Sequence, residues 1–253
     1  MSLNPRIASW QGRRVWIVGA SSGIGAATAA LLLERGARMA VSARSGDALT
    51  ERFGGRALVL PADVTNVEAL RAAAQRIAAE WGGIDLTLDF AGTYREMRPW
   101  TMDLAEARAI VELNLTSAFN LLEAVRPYLR EGSGLGLVAS VAGYGGLPNS
   151  LAYGASKAGL INLAQSLWLD YRARGVAVYL INPGFVETPL TAKNRFPMPF
   201  IISSAAAAAA IVKGLERGAF EIHFPRRFSR LLKLLNLLPD FLYFWCVRKF
   251  TGL

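Results

Sequence analysis

Tyr153 and Lys157 stand four positions apart in a stretch of helical composition, so a phenol and an ammonium share one face, a single turn from each other. A phenol with a pKa of about 10 is a poor acid or base at neutral pH, and a nearby positive charge brings it toward the working range. The spacing predicts a proton-transfer site in which Tyr153 gives or takes the proton and Lys157 lowers its pKa. Ser140 ends an apolar run, residues 135–140, that reads as a buried strand. A hydroxyl at such a strand end can hydrogen-bond a reactant's oxygen and hold it against Tyr153. Singly, the three residues have plainer readings: an interfacial aromatic, a solvated helix charge and a turn residue.

A second pattern concerns phosphate. The apolar run Val15-Trp16-Ile17-Val18 meets Gly19-Ala20-Ser21-Ser22-Gly23-Ile24-Gly25, and an Ala/Leu-rich stretch follows to Arg35. This is a strand, a tight turn and a helix, the arrangement that offers backbone N–H groups and a helix N-terminus to a pyrophosphate. A glycine-rich turn alone also serves as an ordinary connection. A next strand, residues 38–43, leads to Arg44, with no carboxylate before Asp47. A carboxylate there would bind the ribose hydroxyls of NAD, whereas an arginine accommodates a 2′-phosphate, so Arg44 favours NADP(H). Arg44 as a solvated surface charge is the alternative.

The elements that must carry these residues alternate along the chain. Further strands are expected near residues 57–60, 84–90, 135–140 and 176–181, with helices near 66–81, 104–130 and 151–174. A last strand, residues 220–224, follows a helix containing the run Ala205 to Ala210, with Ser203 and Ser204 to cap its start and Gly218 to end it. The pattern predicts an α/β fold: a doubly wound parallel sheet of Rossmann type, helices on both faces, ligands at the carboxyl ends of the strands. Residues 1–225 read as one such domain and 226–253 as an amphipathic helical extension.

The ordered motifs resemble the short-chain dehydrogenase/reductase family over residues 12–190. They are Gly19-x-x-x-Gly23-x-Gly25, Asp63-Val64, Ala91-Gly92, Asn114, Ser140, Tyr153-x-x-x-Lys157 and Pro183-Gly184. The resemblance implies a catalytic tetrad of Asn114, Ser140, Tyr153 and Lys157. Tyr153 would be the general acid in reduction, Ser140 would polarise the carbonyl, and Asn114 would hold a water linked to Lys157. It also implies nucleotide contacts from Ser21, Ser22 and Ile24 in the turn, from Asp63 and Val64 at the adenine, and from Ala91 and Gly92. Tyr153, Lys157, Pro183, Gly184, Val186 and Thr188 would border the nicotinamide. Two departures stand out: Val18 replaces the family's usual threonine, and Asp89-Phe90 its usual Asn-Asn. Packing of Val18 with Phe90 is expected to replace the lost hydrogen bond between strands, and Asp89 has no assigned partner.

The segment from Pro189 to Ser203 carries Phe196, Met198, Phe200, Ile201 and Ile202. With Tyr94, Met97, Val141, Tyr144 and Leu147 it predicts either a pocket for an apolar substrate or packing of these side chains on the protein itself. The extension mixes leucine pairs and aromatics with Arg226, Arg227, Arg230, Lys233, Arg248 and Lys249 against Asp240. It is too interrupted to span a bilayer. Two basic helices hinged at Pro239 would lie on an anionic membrane surface, or cover the active site or a subunit contact.

The chain's 28 Lys and Arg against 19 Asp and Glu give a net charge of +9, with no nucleic-acid recognition motif. The one cysteine, Cys246, excludes an intramolecular disulfide and fits a reducing compartment, and the N-terminus lacks an export signal, so the cytoplasm is expected. His223 has no second ligand beside it, and no metal is expected. The resulting expectation is an NADP(H)-dependent oxidoreductase, a homodimer or homotetramer, acting on a lipophilic carbonyl or alcohol. The alternatives are an NAD-dependent alcohol dehydrogenase and a non-catalytic NADP-sensing regulator.

Overall fold

The computed structural model describes residues 2–194 and 196–252. Leu253, the end of the expected extension, and Arg195, within the apolar loop, lie outside the described residues.

The chain begins β1 (Arg14–Val18), α1 (Gly23–Glu34), β2 (Arg38–Ser42), α2 (Gly46–Phe53), β3 (Leu58–Val59), α3 (Val67–Trp81) and β4 (Leu86–Asp89). It continues α4 (Leu104–Val111), α5 (Ser117–Val125), β5 (Gly134–Val138), α6 (Leu151–Arg172) and β6 (Ala177–Pro183). The remainder is β7 (Val186–Glu187), β8 (Ile202–Ser203), α7 (Ser204–Glu216), β9 (Glu221–Phe224), α8 (Arg226–Leu235) and α9 (Asp240–Thr251). One seven-stranded sheet runs β3-β2-β1-β4-β5-β6-β9, every neighbouring pair parallel. The chain winds outward from β1 to β3, then returns to place β4 on the other side of β1. The crevice where ligands bind such sheets therefore opens at the carboxyl ends of β1 and β4.

Alternation along β1 sets the two layers. Val15 and Ile17 pack with Leu32 of α1 and Ile211 of α7, while Trp16 and Val18 pack with Leu70 of α3, Leu121 of α5 and Leu160 of α6. The fold is the expected doubly wound α/β sheet. The alanine run lies in α7, where Ser203 Oγ accepts from Ala206 N at 3.2 Å and Gly218 follows at a φ of 64°.

Three local features differ from expectation. The helix expected over residues 104–130 is broken into α4, a π-helical turn (Glu112–Thr116), α5 and a 3-10 turn (Arg126–Tyr128). Pro127 lacks an N–H and ends the α-helical ladder there. The π turn inserts an extra residue and carries Asn114, as such turns often do at functional positions. Helix α2 was not expected; Ser45 caps it by accepting from Ala48 N at 3.3 Å. The β7–β8 ribbon ties the two ends of the apolar loop together.

The extension folds back onto the sheet domain. Ser229 is fully buried and shares a 2.6 Å hydrogen bond with His223 Nδ1, Lys233 pairs with Glu221, and Tyr243 donates to the carbonyl of Gly146 at 2.8 Å.

Candidate active site

A cleft of about 380 Å³ opens at the carboxyl ends of β1, β2, β4, β5 and β6. Every residue expected at the nucleotide lines it: Gly19, Ser21, Ser22, Gly23, Ile24, Gly25, Arg44, Asp63, Val64, Ala91, Gly92, Tyr153, Lys157, Pro183, Gly184, Val186 and Thr188. The turn after β1 passes hard against the chain after β4. A Cβ on Gly19 would meet Ala91 N at 2.6 Å and Phe90 C at 2.7 Å, at a φ of +82°, so no other residue fits. Ser22, at the start of α1, makes no capping bond with its side chain. The first-turn N–H groups of α1 are thereby left for an anion in the cleft. Arg44 is exposed at the far end, next to the capped N-terminus of α2. Asp63 accepts from Thr65 N and Oγ1 at 2.9 and 2.8 Å, and these bonds, with the Arg44 charge, hold its carboxyl below the usual range. The residues present thus offer a cradle and a cation where a phosphorylated dinucleotide needs them.

Ser140, just past β5, and Tyr153 and Lys157 of α6 line the same cleft; Ser140 and Lys157 are buried and Tyr153 is half-buried. Ser140 Oγ is hydrogen-bonded to the Tyr153 hydroxyl, accepts from Ala142 N at 3.1 Å, and faces the Pro183 carbonyl at 3.4 Å. Lys157 Nζ donates to the Val138 carbonyl at 2.8 Å and lies 5.8 Å from the centre of the Tyr153 ring. Tyr94 meets that ring edge-on, centroids 5.0 Å apart. Asn114 does not line the cleft but stands directly behind it. Its Oδ1 accepts from Thr93 N at 2.7 Å, and its Nδ2 donates to Thr93 O at 2.9 Å and Ser156 Oγ at 3.2 Å. Both amide hydrogens are used, which leaves only an acceptor lone pair for a water. Gly92 lies between the two: a Cβ there would sit 3.3 Å from Asn114 Oδ1 and 3.4 Å from Lys157 Nζ.

The electrostatics are governed by burial. Burial pushes the Tyr153 phenol up and the Ser140 hydrogen bond opposes it only in part, so its pKa rises where the sequence led us to expect a fall. Lys157 is drawn toward the Val138 carbonyl, and desolvation outweighs any gain from its charge at the phenol. Lys157 itself is lowered to about 8 by burial, against the pull of Asp89. Asp89 is raised to about 6 by burial, opposed by its bond from Ala91 N at 3.0 Å and by Lys157. This supplies the partner that the sequence left unassigned.

Other expectations need correction. Val18 and Phe90 belong to different layers of the core, so they do not pack together; a backbone bond, Phe90 N to Val18 O at 2.8 Å, ties the strands. None of Tyr94, Met97, Val141, Tyr144 and Leu147 lines the cleft. Met97 is buried with Ile110 and Ala152, and Tyr144 donates to Glu221 Oε1 at 2.5 Å. In the loop, Phe196 packs on Phe185 and Phe200 on Phe228, and Pro189, Leu190 and Thr191 reach the cleft instead. Ser45, Phe90, Thr93 and Leu113 also line it without having been expected. Ser45 was legible as the cap before a helix with Leu49 and Phe53 at i and i+4. Leu113 reaches the cleft from the π turn, which no periodicity announces.

Comparison with known proteins bears on all of this. The short chain dehydrogenase family model matches residues 13–198. An uncharacterized oxidoreductase of Myxococcus xanthus is 35% identical over 243 residues, 91% of this chain and 94% of that protein. The cis-4-hydroxycyclohexanecarboxylate dehydrogenase of Sinomonas cyclohexanicum is 39% identical over 70% of this chain and 74% of its own. The 3-oxoacyl-[acyl-carrier-protein] reductase of Escherichia coli is 34% identical over 72% and 77%. Among solved structures, a short chain dehydrogenase from Burkholderia cenocepacia in complex with NADP superposes with a TM-score of 0.76 at 25% identity, over 85% of this chain and 96% of that one.

Proposed function

The chain belongs to the short-chain dehydrogenase family, and we propose that it is an NADP(H)-dependent oxidoreductase interconverting a carbonyl and an alcohol through Tyr153. The observation that carries this reading is the joining of Ser140, Tyr153 and Lys157 to the glycine turn and Arg44 in one cleft. The turn and the N-terminus of α1 would hold the pyrophosphate, and Asp63 and Val64 the adenine. Arg44 beside the start of α2 would take the 2′-phosphate. The NADP complex of the Burkholderia relative favours the same choice. Bound there, a nicotinamide supplies or accepts hydride.

The chain's own groups then handle the oxygen and the proton. Because burial raises the Tyr153 pKa, the phenol is protonated at neutral pH and gives its proton to the carbonyl oxygen as negative charge develops on it. Ser140 donates a hydrogen bond to the same oxygen and sets its distance from Tyr153. With a pKa of about 8, Lys157 is protonated about ten to one at pH 7 and stabilises the phenolate that remains. Asn114, clamped on Thr93 and Ser156, fixes the loop that backs Lys157.

Pro189 and Leu190 of the loop, with Phe90 and Leu113 in the same lining, support a lipophilic substrate. A homodimer or homotetramer is proposed, on the exposed Phe119 of α5 and Leu169 of α6. The protein would work in the cytoplasm, with its basic extension against an anionic membrane. The test is Tyr153→Phe: NADPH binding, read by fluorescence, is retained while carbonyl reduction is lost. Normal turnover would sink the mechanism, and NADPH binding by a wild type without turnover would leave a nucleotide-sensing regulator.

A further inference from the structure

The two C-terminal helices carry apolar surface that nothing among the described residues covers. On α8, Phe228 stacks on Phe185 at 5.4 Å and Ser229 is buried, while Arg226, Arg227, Arg230, Leu231 and Leu234 face outward. On α9, Tyr243 anchors the helix, yet Phe241 is 72% exposed, Trp245 59% and Phe250 75%, and Leu237 between the helices is 79% exposed. Patches of this kind on a folded chain mark an interaction surface.

Charge decides among occupants. With Lys233 paired to Glu221, Arg226, Arg227, Arg230 and Lys249 still stand against Asp240 in these helices, so two copies meeting face to face would oppose like charges. Aromatics and leucines interleaved with arginine and lysine match the headgroup region of an anionic bilayer, where rings and chains sit below the phosphates and bases among them. Among the described residues no helix is long and apolar enough to cross a membrane, so contact would be along the surface.

The patch also reaches the cleft. Phe200, exposed on the apolar loop, lies beside Phe228 with ring centroids 6.3 Å apart, and Leu190 of that loop is both exposed and part of the cleft lining. The helices are tied to the strand ends behind the site as well. Lys233 pairs with Glu221, which accepts from Tyr144 at 2.5 Å and Asn182 at 2.9 Å, and Tyr243 holds Gly146.

We infer that α8 and α9 dock along the surface of an anionic bilayer and turn the Leu190 lip of the cleft toward it, so that a lipophilic carbonyl substrate enters from the lipid. Docking is independent of catalysis; entry from lipid rests on the proposed carbonyl chemistry. The full-length protein is floated with phosphatidylcholine vesicles, with and without phosphatidylglycerol. It rises with the anionic vesicles and stays behind with the neutral ones. The exposed pair Phe241→Ser with Trp245→Ser, and separately Arg227→Glu with Arg230→Glu, weaken binding at least about tenfold at unchanged melting temperature. Wild type that ignores anionic vesicles overturns docking, as does variant binding equal to wild type. A concentration-dependent dimer lost in the same variants assigns the patch to a second copy and also overturns it. Anionic vesicles accelerate reduction of a long-chain ketone by wild type but not by the Phe241/Trp245 variant; equal acceleration overturns entry from lipid. Wild-type turnover of a water-soluble ketone by that variant keeps a failure of docking separate from a failure of the chemistry.

Discussion

The substitution Asp89→Asn puts a number on the electrostatics of the site. Asp89 is buried at the end of β4, and its carboxyl is raised from 3.8 to about 6. The unfolded chain therefore releases this proton first as pH rises, and stability falls between about pH 4 and 6. Above that window the penalty is 2.303RT times about two units, or about 3 kcal/mol. The asparagine side chain carries no charge, and its amide oxygen can still accept from Ala91 N, as the Asp89 carboxyl does at 3.0 Å. Part of the gain is taken back, because Lys157 loses the charge that holds its pKa as high as about 8. The net expectation near neutral pH is a stabilisation of roughly 1–2 kcal/mol, a rise of a few degrees in melting temperature for a chain of this size. Thermal unfolding of both proteins across this pH range reads it directly: the gain shrinks as pH falls from about 6 toward 4. A gain that does not change with pH, or a loss of stability at neutral pH, would refute the reasoning. The limb of the pH–rate profile set by Lys157 also moves to lower pH in this variant.

Arg44→Asp should shift coenzyme preference from NADPH toward NADH by about tenfold or more, measured as the ratio of the two kcat/KM values, since it replaces a cation by the group that binds free ribose hydroxyls. Unchanged selectivity rejects the role of Arg44. Gly92→Ala places a methyl 3.3 Å from Asn114 Oδ1 and 3.4 Å from Lys157 Nζ, so kcat should drop while the melting temperature changes little. Wild-type kcat would show that these two groups can give way freely. Asn114→Ala strips the Thr93 N–H and carbonyl of their partners and should cost roughly 2–4 kcal/mol in denaturant unfolding. A loss under about 0.5 kcal/mol would mean water replaces the amide at no expense.

The strands were legible because burial on both faces of a parallel sheet writes long apolar runs such as Val15 to Val18, with all four residues fully buried. The turn after β1 was legible because only glycine can pass so close to the backbone of Phe90 and Ala91. Ser140, Tyr153 and Lys157 were legible as a spaced set of types and Asn114 only through the family resemblance, and the structure brings the first three to the cleft and the last behind it. What stayed hidden was tertiary. The π turn at Asn114 is a change of hydrogen-bond register that leaves the apolar pattern of residues 104–130 looking continuous. The upward shift of Tyr153 comes from burial by residues distant in sequence, and Val18 and Phe90 part because neighbouring strand ends send their side chains to opposite layers. The aromatics of the loop composed a plausible pocket, yet Phe228, far along the chain, takes up Phe200.

The most direct test of the central claim is oxidation of NADPH by the purified protein against short- and long-chain ketones and aldehydes, with NADH in parallel. Turnover that prefers NADPH and rises with chain length is the predicted result. Tight NADPH binding without turnover on any carbonyl, or a clear preference for NADH, would contradict it.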